Sequence, residues 1–270
     1  MIEIKFCSLA SGSSGNCQYI ESDHGKILID AGLSGKAIIN LLKSIGVRPE
    51  DLDAIFVTHE HRDHIHGVGI LSRKLDLPIY ANGQTWQAMK DSLGKLEMKN
   101  VKEFSIDQPF YFKDIFIRPV PTFHDAANPN GYTLADEKSK ISLITDTGWV
   151  GQEIIDAIKD SDLYFLESNH DVDMLKAGPY SWPLKQRVLS TRGHLSNDNC
   201  SQVAREILKG QGEALVLSHL SIENNTRDLA FNNMKKTIEE KNLIIDPGVV
   251  DLEIAPRSQA SKFYNLKGDK

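Results

Sequence analysis

Thr58-His-Glu-His-Arg-Asp-His-Ile-His-Gly67 is the stretch that most restricts what this chain can become. Four of the nine histidines fall within residues 59–66, directly after a short apolar run, Ala54 to Val57. An apolar run of that length, flanked by polar residues, reads as a buried strand. The histidines therefore stand at the C-terminal end of a strand, where α/β proteins collect functional groups. Imidazole and carboxylate are the donors that divalent ions such as Zn²⁺ or Mn²⁺ take, and His59, His61, Asp63 and His64 supply them. The spacing lets His59 and His61 point one way and Asp63 and His64 another, which suits two ions rather than one. The competing reading is a solvated, histidine-rich loop; His66 and His24 are expected at the surface.

Two ions need more ligands than this cluster holds, and the chain repeats the arrangement downstream. His124 follows an apolar run ending at Val120, Asp146 follows 141–145, and His219 follows 214–217. Taken singly, each is more often a hydrogen-bonded loop residue. Together they extend the donor set, with a carboxylate at Asp146 able to bridge two ions.

The periodicity around these positions predicts an opening meander at 2–7, 17–21 and 26–30. A helix capped by Ser34 runs to Ile45 and stops at Gly46. Further strands are predicted at 54–58, 78–81, 101–106, 110–120, 131–135, 141–145, 162–166, 214–217, 243–246 and 249–254. Helices are predicted at 66–75, 83–93, 150–159, 181–190, 196–209 and 226–240. Two blocks of strands, each passing into αβ alternation, imply two sheets face to face with helices outside. A single domain over 1–255 and a polar, loosely held tail over 256–270 are expected.

The loop Ser8-Leu-Ala-Ser-Gly-Ser-Ser-Gly-Asn16 invites comparison with a phosphate cradle. It lacks a following Gly-Lys-Ser/Thr and leads into a strand, so it is no nucleotide-binding P-loop. Ser11, Ser13, Ser14 and Asn16 stay candidates for contact with a substrate phosphate. A net charge of −6 gives no overall basic field for coating nucleic acid, while leaving room for a local cationic site made by metal ions. Cys7, Cys17 and Cys200 lack C-x-x-C spacing, which argues against a disulfide framework and a cysteine zinc site. No apolar run is long enough to cross a bilayer, and the first residues lack the order of a signal peptide. Cytoplasm, with no membrane partner, is the expected location.

The H-x-H-x-D-H motif at 59–64, followed in order by His124, Asp146 and His219, resembles the metallo-β-lactamase superfamily. That resemblance implies an αββα sandwich of two mixed sheets and a pair of divalent ions, zinc or manganese with iron as a further option. By it, His59, His61 and His124 hold the first ion, Asp63, His64 and His219 the second, and Asp146 bridges them. Histidine rather than glutamate at position 61 favours a hydrolytic pair over the diiron redox branch. "FLESNHD" (165–171) and "RGHLSN" (192–197) resemble a nuclease branch in which a glutamate orients a histidine that protonates the leaving oxygen. Carried over, Glu167 orients His194; a purely structural hydrogen-bonded pair is the other reading. His170 has no role in that scheme and is kept as a candidate along the substrate path.

The phrases "LASGSSGN", "LIDAGLSGKA", "FVTHEHRDHI", "LPIYAN", "LITDTG", "FLESNHDV" and "HLSIENN" further resemble the WalJ (YycJ) group of Firmicute proteins. This implies a metal-dependent nuclease with 5′-to-3′ exonuclease action on DNA and a part in mismatch repair. The reaction expected is phosphodiester hydrolysis by a metal-bridged hydroxide that Asp63 and Asp146 position, with His194 as general acid. Alternatives are a small-nucleotide or RNA phosphodiesterase, a lactone, thioester or β-lactam hydrolase of the same fold, and a metal-holding regulatory module. "KAGPYSWPLKQR" (176–187) is a candidate lid. Its Tyr180 and Trp182 could stack on bases and its Lys176, Lys185 and Arg187 could meet phosphates, against the plainer reading of packing aromatics and solvated charges. The oligomeric state is open, a homodimer included.

Overall fold

Strands that are apolar on both faces need cover on both faces, and this chain supplies it in four layers. The computed structural model describes residues 4–266. The first sheet takes β1 (Ile4–Ala10), β2 (Cys17–Glu21), β3 (Lys26–Ile29), β4 (Ala54–Phe56), β5 (Ile79–Asn82) and β6 (Val101–Phe104), with β14 (Tyr264–Leu266) on the outer edge of β1. The second is ordered β13 (Val250–Ile254), β12 (Glu213–Ser218), β11 (Leu163–Glu167), β10 (Lys140–Ile144), β9 (Asn130–Ala135), β8 (Ile115–Pro121) and β7 (Phe110–Phe112). In each sheet, antiparallel strands on one side pass into four parallel strands, β3 to β6 and β10 to β13.

The alternation of side chains sorts the core into three clusters. Ile4 and Phe6 of β1 and Leu163 and Phe165 of β11 meet between the sheets. Cys7 and Leu9 turn outward to α1 (Gly35–Ser44), α3 (Val68–Leu75) and α4 (Gly83–Met89). Tyr164 and Leu166 turn outward to α5 (Gln152–Ile158), α8 (Asn197–Ile207) and α9 (Arg227–Glu240). The expected two sheets with helices outside are thus present. No helix among the described residues is long and apolar enough to cross a membrane.

Several expectations need correction. The predicted strand 110–120 is a hairpin, β7 and β8, turning at Lys113, whose φ is +55°. The helix expected at 66–75 is present as α3, while the short helix before it, α2 (Arg62–Ile65), and α6 (Val172–Ala177) have no counterpart in the sequence reading. Residues 243–246 make only isolated bridges, from Ile245 and Asp246 to Val250. The tail expected to be loose from Pro256 is docked. Tyr264 and Leu266 are buried, β14 pairs with β1, and Lys262 bonds Asp251 and Glu253 of β13, so the segment ties one sheet to the other. Residues 2–3 of the expected first strand and 267–270 of the expected tail lie outside the described residues.

Candidate metal centre and active site

One end of the sandwich gathers the residues that leave the C-terminal ends of β3, β4, β8, β10, β11 and β12. Three of them leave in a strained backbone conformation: Asp30 after β3 has φ +61°, Asp146 after β10 +55° and His219 after β12 +54°. Left-handed backbone is rare for residues other than glycine, with Asp, Asn and His the usual exceptions. Strain of this kind persists where the surroundings over-determine it, and it clusters at functional sites. Close backbone approach fixes the loops as well. A Cβ on Gly32 would stand 1.6 Å from the Asp63 carbonyl, so only glycine lets the 30–33 turn lie against the histidine loop.

The structure brings all seven donors together. His59, His61 and His124 form one group, with candidate ligand atoms within 4.8 Å of one another, and Asp63, His64 and His219 form a second. Asp146 belongs to a third group with His59 and His64 and to a fourth with Glu167, His194 and His219. Its Oδ2 lies 3.3 Å from His64 Nε2 and its Oδ1 3.3 Å from His219 Nδ1.

Most of the rings are oriented through Nδ1. His59 Nδ1 meets Thr58 Oγ1 at 3.0 Å, His64 Nδ1 meets Asp30 Oδ2 at 2.7 Å, His124 Nδ1 meets the Gly193 carbonyl at 3.0 Å, and His219 Nδ1 meets Glu167 Oε1 at 2.9 Å. A histidine tethered at one nitrogen presents the other with a fixed direction, the usual support for metal ligation. His59 Nε2, His219 Nε2 and Asp146 Oδ2 are buried with no hydrogen-bond partner in the protein. A buried polar atom left unmatched costs about 1–3 kcal/mol, so three in one cluster call for a shared partner. Imidazole nitrogen and carboxylate oxygen fit divalent cations.

Electrostatics agree with that fit. Burial, helped by the neighbouring His64, pushes His59 well below the usual histidine range, and burial likewise lowers His124. Both are neutral and have a lone pair to give. Burial works against charge on His64 and His219, but the surrounding carboxylates, Asp146 foremost, outweigh it; His64 is pushed well up and His219 to about 10. Protons thus balance the carboxylates in the metal-free chain, and cations would displace them.

Glu167 is fully buried and holds more than His194. Its Oε1 accepts from His194 Nδ1 (2.7 Å) and His219 Nδ1 (2.9 Å), and its Oε2 from the backbone N–H groups of Thr147 (3.0 Å) and Leu195 (3.2 Å). Burial opposes its charge; the His194 and His219 contacts prevail and hold the carboxyl at about 2.

The loop candidates divide. Ser11 is buried and its Oγ accepts from the His219 N–H at 2.8 Å, while Asn16 is buried with Nδ2 3.1 Å from His64 Nε2. Ser13 and Ser14 are exposed at the tip. His170 is buried, not along an open path; neither ring nitrogen has a partner, and burial pushes it down to about 4. Of the candidate lid, Trp182 is 64% exposed at the start of α7 (Trp182–Leu189). His24 and His66 are exposed, as expected.

Sequence reasoning missed Asp30. Its carboxylate takes the Thr58 N–H, the Thr58 hydroxyl and His64 Nδ1, and burial raises its pKa against the pull of His64. The signal was there, since Asp30 directly follows an apolar run just as Asp146 follows β10 nearly at once.

Comparison with known proteins agrees with this geometry. A family profile described as "Beta-lactamase superfamily domain" matches residues 26–220. Exodeoxyribonuclease WalJ of Streptococcus pneumoniae is 44% identical over 244 residues, covering 90% of this chain and 91% of that one. Exodeoxyribonuclease YycJ of Bacillus anthracis is 41% identical over 238 residues, covering 88% and 90%. Among solved structures, the metallo-beta-lactamase fold protein YhfI of Bacillus subtilis superposes with a TM-score of 0.72 at 21% identity, covering 98% and 100%. The chain belongs to the beta-lactamase superfamily of metallo-β-lactamase-fold hydrolases and, within it, to the family of WalJ and YycJ.

Proposed function

We propose that this chain is a metal-dependent phosphodiester hydrolase acting on DNA as a 5′-to-3′ exonuclease. The observation that carries the chemistry is the Glu167–His194 pair standing against a seven-donor cluster. The relatives named exodeoxyribonucleases, matched over nearly their whole length, favour DNA as substrate.

In this reading His59, His61 and His124 would hold one divalent ion and Asp63, His64 and His219 the other, with Asp146 available as a further carboxylate donor. Ions bound there would acidify the attacking water and offset charge growing on the phosphate. The chain's own work is orientation and proton delivery. Asp30 and Glu167 fix the imidazoles of His64 and His219. Glu167 occupies Nδ1 of His194, so Nε2 is the atom that passes a proton to the departing sugar oxygen, which leaves poorly unless protonated. His194 keeps 18% of its side chain exposed, as a group meeting both substrate and solvent must. Zinc or manganese suits the donors best. A cytoplasmic setting fits three free, buried thiols.

The test is metal-reconstituted protein on 5′- and 3′-labelled DNA and RNA, single- and double-stranded. Mononucleotides released from the 5′ end of DNA are expected, and His194→Ala should lower kcat about 10²- to 10⁴-fold with metal content retained. Absence of DNA cleavage, or a silent His194→Ala, overturns the reading.

A further inference from the structure

Among the cations around the candidate lid, Arg187 is the one held by a carboxylate among the described residues, Asp125. Lys185 Nζ is spent on the Lys176 carbonyl, and Arg192 gives both Nε and Nη2 to the His124 carbonyl. Arg187 uses only Nε, which donates to Asp125 Oδ2, and makes no other hydrogen bond among the described residues. Half of its side chain is exposed, 51%. Nε of the guanidinium is thus pinned, and the two Nη groups have no hydrogen-bond partner among the described residues.

The pin sets the cation beside the donor cluster. Asp125 Oδ1 lies 3.3 Å from His124 Nε2, the nitrogen that stands 3.3 Å from His61 Nδ1. Asp63, from the second donor group, is also within electrostatic reach of Arg187. In a chain of net charge −6, this guanidinium is a cation placed beside the donor cluster, where a substrate anion would have to approach.

We propose that Arg187 binds a phosphate of the substrate through its free Nη edge, and that Asp125 is the positioning residue that aims it. The proposal rests on the phosphodiesterase reading above and names the residue that recognises the backbone. A planar fork fixed at Nε suits two phosphate oxygens, which a lysine cannot match. Binding would add one ionic contact and displace one condensed counterion.

The experiment measures KM and kcat for a 5′-labelled single-stranded oligonucleotide across a salt series, with metal content and thermal unfolding as controls. Arg187→Ala should raise KM about tenfold to a hundredfold and flatten the dependence of log KM on log salt by about 0.7. Arg187→Lys should keep the slope and raise KM only severalfold. Asp125→Asn should keep the slope and raise KM less than Arg187→Ala. Parental KM and slope in Arg187→Ala overturn the proposal, as does a loss in which Arg187→Lys matches Arg187→Ala and metal content falls, since that marks a clamp on the fold. If the parent protein does not cut DNA, the functional reading fails by itself. Arg187 is then judged by anisotropy with the same oligonucleotide, where an unchanged Kd and slope reject it and a weakened, salt-flattened Kd sustains it.

Discussion

Replacing Glu167 by glutamine changes one oxygen into an amino group in a place that has no room for a donor. Both carboxylate oxygens face N–H groups, Oε1 those of His194 and His219 and Oε2 those of Thr147 and Leu195. Whichever way the amide is turned, its NH₂ faces two donors. At about 1–3 kcal/mol for each buried group left unmatched, the loss is about 2–6 kcal/mol. The titration of the group gives a similar figure: a carboxyl held at about 2 against its ordinary 4.5 contributes about 3 kcal/mol to the metal-free protein. Because the folded value is the lower one, that contribution is complete above about pH 4.5 and disappears as the pH falls toward 2. The imidazoles could escape the clash by moving their proton to Nε2, but in His219 that is the nitrogen turned to the donor cluster. Metal affinity should therefore fall about 10- to 100-fold as well. Urea unfolding of the chelated protein at pH 7 and pH 3, with zinc titration at pH 7, reads both effects. A variant within about 0.5 kcal/mol of the parent at pH 7, with unchanged zinc affinity, refutes the reasoning.

Three further substitutions and one truncation test separate parts of the site and fold. His61→Ala or Asp146→Ala should abolish turnover while the far-ultraviolet circular dichroism spectrum stays that of the parent; near-normal activity in either would remove the two-ion scheme. Asp30→Asn should weaken metal binding about 10- to 100-fold through His64 alone, read by competition with a chelating dye. A chain ending at Ala260 loses Tyr264 and Leu266, each worth about 1.5–3 kcal/mol of burial, and should unfold at markedly lower urea; an unchanged midpoint would mean that the docked segment adds nothing.

The donors were legible because chemistry and position coincide: each is a ligand-type residue just past an apolar run, and such pairings repeat. Asp30 satisfies the same rule but carries one carboxylate with no motif around it, so only its contact with His64 reveals its work. The second bond of Glu167, to His219, joins residues 52 apart in sequence and has no local trace. The turn at Lys113-Asp114 lacks the glycine or asparagine that usually marks a hairpin, so β7 and β8 read as one strand. The docked tail escaped because Phe263, Tyr264 and Leu266 are too few to show a period, and an edge strand of three residues draws its stability from the β1 backbone it finds.

That edge strand also sets an order of events during synthesis. β1 leaves the ribosome ahead of the other described strands, and the one that covers its outer edge lies some 260 residues further on, about 13–50 s of translation at 5–20 residues per second. Over that interval β1 offers a row of unpaired backbone groups, a template on which other chains can add strands. A nascent chain whose β14 has not yet emerged keeps that outer edge of β1 open. Such nascent chains are the ones expected to recruit chaperones or to associate with one another.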